Sequence, residues 1–129
     1  MYFNENQVIY LQIADLVIDR ILMGQWPKEE KIPSVRNLAV ELQVNPNTVM
    51  RAYDSLQQKG IIMNRRGVGN FVSSAAEEMI LQTKKEQFIN SDLPQFFRNL
   101  HLMKIGFEEL ENRYNEYIEQ TFKQKNPDQ

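Results

Sequence analysis

The chain has 129 residues, enough for one ordinary domain or a small domain with an appendage, and too few for two large cores. It has no cysteine and a single histidine, His101, which excludes disulfides, thiolate metal sites, a cysteine nucleophile and any multi-histidine site. The net charge of −2 argues against nucleic acid, and the lack of a long apolar run or a signal-peptide pattern favours the cytoplasm without a membrane partner.

Residues 8–23 predict the first helix. Apolar side chains at helical spacing cover more than half of its circumference, so we expect the helix to be covered on two sides. Gly24 predicts the end of this helix. Residues 25–33 contain Pro27 and Pro33 and are interpreted as a loop.

Two further helices with a tight break between them follow. Ser34 is a good N-cap for a short helix, which ends at the break Gln43–Val44. Asn45 and Pro46 then favour a new helix start, because Asn caps well and Pro fits the first helical position. This helix is expected to run to about Lys59 and to stop at Gly60. Its predicted inner face consists of Val49, Ala52, Tyr53 and Leu56.

Residues 61–72 predict a β-hairpin. Two short apolar runs flank the glycine-containing stretch Arg65–Asn70. The segment 34–74, which includes the two helices and the hairpin, carries a net charge of +3, whereas both flanks are acidic. A local cationic segment matters more for phosphate binding than the charge of the whole chain.

Two helices joined by a tight turn and followed by a hairpin predict a winged helix-turn-helix, whose second helix fits the major groove of DNA. Asn can pair with adenine and Arg with guanine, while Thr reaches bases or phosphates. Arginines and glycines at the hairpin tip suit a close approach to a narrow groove. The expected DNA contacts are Asn45, Asn47, Thr48 and Arg51 in the helix and Arg65, Arg66, Gly67 and Gly69 in the hairpin.

The tail, residues 75–129, predicts two helices, about 76–104 with a kink near Pro94 and 107–123. Apolar residues follow a heptad-like 4-3-4-3 spacing that a small winged domain cannot bury alone. A dimer interface is therefore expected, although an intramolecular core or an apolar ligand site stays open. The expected interface residues are Phe96, Leu100, Met103, Phe107, Leu110, Tyr114 and Tyr117.

Residues 9–72 resemble the DNA-binding domain of the GntR superfamily of bacterial transcription regulators. The matching stretches are IYLQIADLVIDRILMGQW, IPSVRNLAVELQVNPNTVMRAYDSLQQKGII and RRGVGNFV. The resemblance implies DNA contacts by Arg36 and by the start of the second helix, with Gly67 as the wing glycine, and Ser34, two residues before Arg36, is an expected contact as well. Many members carry arginine where Pro46 and Met50 stand here, so base preference does not carry over.

The Asn-Pro-Asn-Thr-Val stretch and the short tail resemble the YtrA-like branch in particular. That resemblance implies a homodimer formed by the tail, with genes for export transporters as frequent targets. The expected fold is mostly α with a small β-hairpin: a winged helix-turn-helix domain over 1–74 and a short α-helical dimerisation tail over 75–129.

The sequence thus predicts a transcription regulator, expected to be a repressor, that binds an inverted-repeat operator of double-stranded DNA as a homodimer. The alternative is a winged-helix module that binds another protein without reading DNA. An enzyme is not expected, because no nucleophile–base pair, phosphate loop or metal cluster is recognisable. No cofactor is expected, and a small-molecule effector stays open.

Overall fold

The computed structural model describes residues 8–123; residues 1–7, which lack a signal-peptide pattern, and the end of the predicted tail, 124–129, lie outside this range. The chain forms two compact units, the first ending at Lys85 and the second beginning at Glu86. The fold is mostly helical with one β-hairpin, as the sequence predicts. The helices are α1 (Ile9–Leu22), α2 (Val35–Leu42), α3 (Pro46–Gln58), α4 (Ala76–Gln87), α5 (Leu93–Leu102) and α6 (Phe107–Ile118); the strands are β1 (Ile62–Arg65) and β2 (Gly69–Val72).

Local signals fix the ends of the first three helices. Gly24 takes a φ of +79° after α1, and the N–H of Gln25 donates to the carbonyl of Arg20, which closes the helix end. Gln43, with a φ of +56°, ends α2, and Gly60, with a φ of +73°, follows α3. The predicted breaks at these positions are confirmed.

The core of the first unit is formed where α1 and α2 pack against α3. Apolar side chains around much of the circumference of α1 are buried or half-buried, as expected of a helix covered on two sides. Gln12, a polar residue of the same helix, is also buried. Ala76 and Ile80 at the start of α4 belong to the same core, so the first unit extends about ten residues beyond the proposed boundary at 74.

The segment 30–32, interpreted as part of a loop, is in fact extended and lies along the free edge of β2, directly after Glu29, whose φ is +67°. Glu29 N–H donates to the carbonyl of Val72 at 2.8 Å, and Val72 N–H donates to the carbonyl of Glu30 at 3.0 Å. Ile32 N–H donates to the carbonyl of Asn70 at 2.9 Å, and Lys31 pairs with Phe71. The segment is too short and too close to prolines to show strand periodicity.

The tail is helical in both predicted regions, but the first region is interrupted. A π-helical turn, Phe88–Asp92, separates α4 from α5, and Leu93 N–H donates to the carbonyl of Phe88. Pro94 explains this turn, because it has no N–H to donate to the carbonyl four residues earlier. A second π-helical turn, Glu119–Lys123, follows α6. Among residues 8–123, no helix is both long and apolar enough to cross a membrane.

Candidate DNA interface

Helix α3 has one buried face and one polar face. Val49, Ala52 and Leu56 are fully buried, and Tyr53 is nearly so. The opposite face exposes amide, charged and hydroxyl groups, so it is free to meet a partner. The exposed or half-exposed polar side chains of this face are Asn47, Thr48, Arg51, Asp54, Ser55 and Gln58.

Two predicted DNA contacts also serve as helix caps. The Ser34 hydroxyl oxygen accepts from the backbone N–H of Asn37 at 3.1 Å, and Asn45 Oδ1 accepts from the N–H of Asn47 at 2.8 Å. These oxygens fix where α2 and α3 begin. The amide N–H groups of Asn45 and the hydroxyl hydrogen of Ser34 are not used by the caps, so both side chains can still donate outward.

Arg51 is supported by an aromatic ring that lies far from it in the sequence. Its guanidinium carbon lies 4.2 Å from the ring centroid of Tyr10, near the start of α1. One face of the guanidinium therefore stacks on the ring, while its N–H edge is left to other partners. A groove of about 350 Å³ passes beside this pair, lined by Val8, Ile9, Tyr10, Asn47, Thr48 and Arg51.

Arg36 lies in the first turn of α2 and is exposed. It forms no ion pair with any residue in the range 8–123. A guanidinium that lacks an internal partner is available for a phosphate or a guanine edge.

The tip of the hairpin is a tight turn. Val68 N–H donates to the carbonyl of Arg65 at 2.9 Å, and Gly67 takes a φ of +78°. Arg66 is exposed in the turn, and a side chain at Gly67 would meet no atom within 4 Å. The backbone conformation of the turn therefore favours glycine at position 67. The space around Gly67 is open, so a partner can approach the tip closely.

Gly69 has a role within the chain that differs from the predicted one. A Cβ at this position would lie 2.7 Å from Cε of Lys31, so the missing side chain is replaced by the lysine stem. Arg65, which pairs with Gly69 across the hairpin, holds its guanidinium 4.4 Å from the ring centroid of Phe71. Both basic side chains are therefore positioned by contacts inside the hairpin region.

A polar contact joins the hairpin to α3. Asn70 is buried, and its Oδ1 accepts from Gln57 Nε2 at 3.1 Å and from Asn64 Nδ2 at 3.2 Å. Both lone-pair positions of the amide oxygen are used. One hydrogen bond, from Gln57, therefore joins the hairpin to α3 in addition to apolar contact, and the bond from Asn64 lies within the hairpin.

Tyr53 ties α3 to the entry of α2. Its hydroxyl donates to the carbonyl of Pro33 at 2.7 Å. Burial raises the pKa of the Tyr53 phenol far above its ordinary value; Arg20 opposes this shift and Glu41 adds to it. The phenol is therefore a permanent donor at physiological pH.

The second unit leaves most of its large apolar side chains exposed, and none of its residues up to Lys123 is fully buried. The exposed fraction is 78% for Phe107, 66% for Met103 and 62% for Tyr114. Phe96 and Tyr117 are exposed as well, and Leu100 and Leu110 are half-buried.

Comparison with known proteins places these features in a family. Residues 9–72 match the model of the bacterial regulatory proteins of the gntR family. The chain is 34% identical over 108 residues to the HTH-type transcriptional regulator YhcF of Bacillus subtilis, covering 84% of this chain and 88% of the relative. It is 35% identical over 102 residues to the HTH-type transcriptional repressor YtrA of the same organism, covering 79% and 78%.

Solved structures agree with the sequence relatives. A GntR family regulator from Bacteroides thetaiotaomicron matches with 47% identity and a TM-score of 0.64 over 88% of this chain and 98% of that one. A GntR family regulator from Listeria monocytogenes matches with 28% identity and a TM-score of 0.68 over the same shares. The chain belongs to the GntR family of bacterial regulatory proteins and is similar to its YtrA-like members over most of its length.

Proposed function

We propose that this protein is a transcription repressor that binds an inverted-repeat DNA operator as a homodimer. The observation that carries the proposal is the division of α3 into a buried apolar face and an exposed face of amides, hydroxyls and one stacked arginine. Family membership supports DNA-binding regulation, and the similarity to the repressor YtrA supports repression.

The proposed reading surface consists of α3, the start of α2 and the hairpin tip. Asn45, Asn47, Thr48 and Arg51 are assigned to the major groove, where amide and guanidinium groups distinguish base pairs. Ser34 and Arg36 are assigned to the DNA backbone beside it. Arg65, Arg66 and Gly67 are assigned to the DNA beside the hairpin, with Arg66 and Gly67 in the adjacent groove at the tip.

The outer face of α3 disfavours the alternative of a protein-docking module. Docking faces depend on buried apolar or aromatic anchors. Met50, 47% exposed, is the only large apolar side chain that α3 exposes. A face with one such group and six polar neighbours suits base edges and phosphates better than a protein groove.

Dimerisation is assigned to the second unit. A compact unit that exposes phenylalanine, methionine and tyrosine side chains at heptad-like spacing needs a partner surface. A second copy supplies the matching surface by symmetry, and two copies give the paired half-sites that one winged helix cannot read alone. The proposed contacts are Phe96, Leu100, Met103, Phe107, Leu110, Tyr114 and Tyr117.

Selection of bound sequences from random DNA tests the reading function. We expect an inverted-repeat consensus, and Arg36→Ala should bind it at least tenfold more weakly at physiological salt. Arg113→Ala is the matched control, because Arg113 is an exposed arginine in α6 that pairs with Glu109. A folded, dimeric wild type that yields no consensus would favour the protein-docking module.

Light scattering tests the dimer. We expect a dimer for the wild type and a monomer for the double variant Phe107→Ser/Tyr114→Ser, with weaker operator binding as a consequence. Val40→Ser is the control, since Val40 is an equally exposed apolar side chain on α2, outside the proposed interface. A dimer that survives the double variant would contradict the assignment to this surface.

Repression is tested by transcription in vitro from a promoter that contains the selected sequence. We expect added protein to lower transcript yield. Increased yield would identify an activator instead.

A further inference from the structure

The segment 30–32 lies beside the hairpin as a third extended stretch, and one face of this small sheet carries two cations that point the same way. Side chains of directly paired residues and of alternate residues in a strand project to one side of a sheet. Lys31 pairs with Phe71, and Arg65 pairs with Gly69. Lys31, Arg65, Gly69, Phe71 and Met63 therefore share one face, which we name the outer face of the wing.

The opposite face of the sheet packs against the core, which leaves the outer face of the wing toward solvent. Ile32, Ile62, Asn70 and Val72 alternate with the residues of the outer face, and all four are buried. Lys31 and Arg65 are exposed. The outer face of the wing is thus a solvent-facing surface on a sheet anchored from behind.

Both cations are held in place by neighbours on this face. The Lys31 stem occupies the space left by Gly69, with its Nζ 3.5 Å and its Cε 2.7 Å from the position of the missing Cβ. Arg65 stacks on Phe71, 4.4 Å from its ring centroid. Neither cation forms an ion pair with another residue between 8 and 123. Two positioned, unneutralised cations favour binding to a polyanion.

We infer that Lys31 and Arg65 on the outer face of the wing form a phosphate clamp for the DNA backbone. This clamp rests on the proposed DNA-binding function and adds Lys31, which lies outside the helix-turn-helix and hairpin. Gly69 is a positioning residue, because it gives the lysine stem its place on the sheet. The clamp is independent of base sequence, since phosphates carry no sequence information.

The salt dependence of DNA binding tests the clamp. Each phosphate contact contributes about 0.9 to the slope of log affinity against log salt. Lys31→Gln should therefore lower the slope by about 2 per dimer and weaken binding about tenfold near 0.2 M salt. Lys31→Arg, which keeps the charge, should retain the wild-type slope. Circular dichroism checks that the variants are folded.

Lys28→Gln is the matched control, because it removes the same charge three residues away. Lys28 is exposed but lines a cleft with Glu77 and Glu78. We expect it to leave the slope unchanged. A Lys31→Gln slope equal to that of the wild type, or a Lys28→Gln slope that falls equally, would overturn the clamp.

The measurement is made on the selected operator and on a random duplex of equal length. The clamp predicts the same loss of slope on both duplexes, because it contacts only the backbone. Equal wild-type affinity for the two duplexes would refute the proposed sequence-specific function and leave the slope comparison as the test of the clamp. No binding to either duplex would overturn both.

Discussion

The guanidinium of Arg51 stacks on the ring of Tyr10, so the start of α1 supports a side chain on the outer face of α3. Tyr10→Leu removes the aromatic face and should lower the free energy of unfolding by about 1 kcal/mol and weaken operator binding by several-fold. Tyr10→Phe keeps the ring and should match the wild type in both. Urea unfolding and fluorescence-anisotropy titration measure the two effects. If Tyr10→Leu bound the operator as tightly as the wild type, stacking on Tyr10 would not contribute to DNA binding by Arg51.

The cap at Asn45 separates folding from DNA binding. Asn45→Ala removes the acceptor for Asn47 N–H and should destabilise the protein by about 1 kcal/mol. Asn45→Asp keeps the acceptor and should retain stability, because Asp caps as well as Asn. The added carboxylate should nevertheless weaken DNA binding more than tenfold at low salt, since a negative charge in the groove is repelled by the surrounding phosphates. Operator binding by the Asp variant at wild-type strength would remove Asn45 from the interface.

The hairpin tip should tolerate Asn but not Ala at position 67. Gly67→Ala should cost about 1 to 2 kcal/mol, because an L residue is strained at a φ of +78°. Gly67→Asn should cost less, because Asn adopts this conformation more readily. No atom lies within 4 Å of the new Cβ, so a clash cannot explain a loss. Thermal unfolding of both variants measures the difference, and equal stability would contradict the strain.

The hydroxyl of Tyr53 should stabilise the protein at neutral pH and less so in alkali. Tyr53→Phe leaves the Pro33 carbonyl without its donor and should cost about 1 to 2 kcal/mol at pH 8. Burial raises the folded-state pKa, so above pH 10 the unfolded chain loses this proton while the folded protein retains it. Stability therefore falls as pH rises, by up to about 1.4 kcal/mol per pH unit.

Urea unfolding of both proteins at pH 8 and pH 11 measures this effect, because the other titrating groups are common to both. The gap between the wild type and Tyr53→Phe should narrow at pH 11. A constant gap would show that the phenol ionises equally in both states.

Signals that act over a few residues made much of this fold predictable. Ser34 and the pair Asn45–Pro46 set the helix starts, and Gly24 and Gly60 mark the ends, because caps and left-handed residues depend on the local backbone. The inner face of α3 followed from its periodicity in the same way.

Contacts between distant residues were not predictable from the sequence. Tyr10 meets Arg51 only because α1 packs against α3, and nothing in either local sequence indicates the pairing. The sequence places Lys31 in an acidic flank, and only the pairing of its segment with β2 brings it beside Gly69. The sequence singles out Gly69 because it lacks a side chain. The group that fills the open space is Lys31 of the same chain.

The buried Asn70 amide oxygen accepts hydrogen bonds from both Gln57 and Asn64, and this limits how the DNA specificity of the protein can change. Because Gln57 of α3 donates to this oxygen of the hairpin, α3 and the hairpin are held together within the same compact unit. In the proposed dimer, we expect adaptation to a new operator, or control by a signal, to act on the distance between the two copies. Natural operators should consequently vary in spacer length while the length of each half-site stays constant.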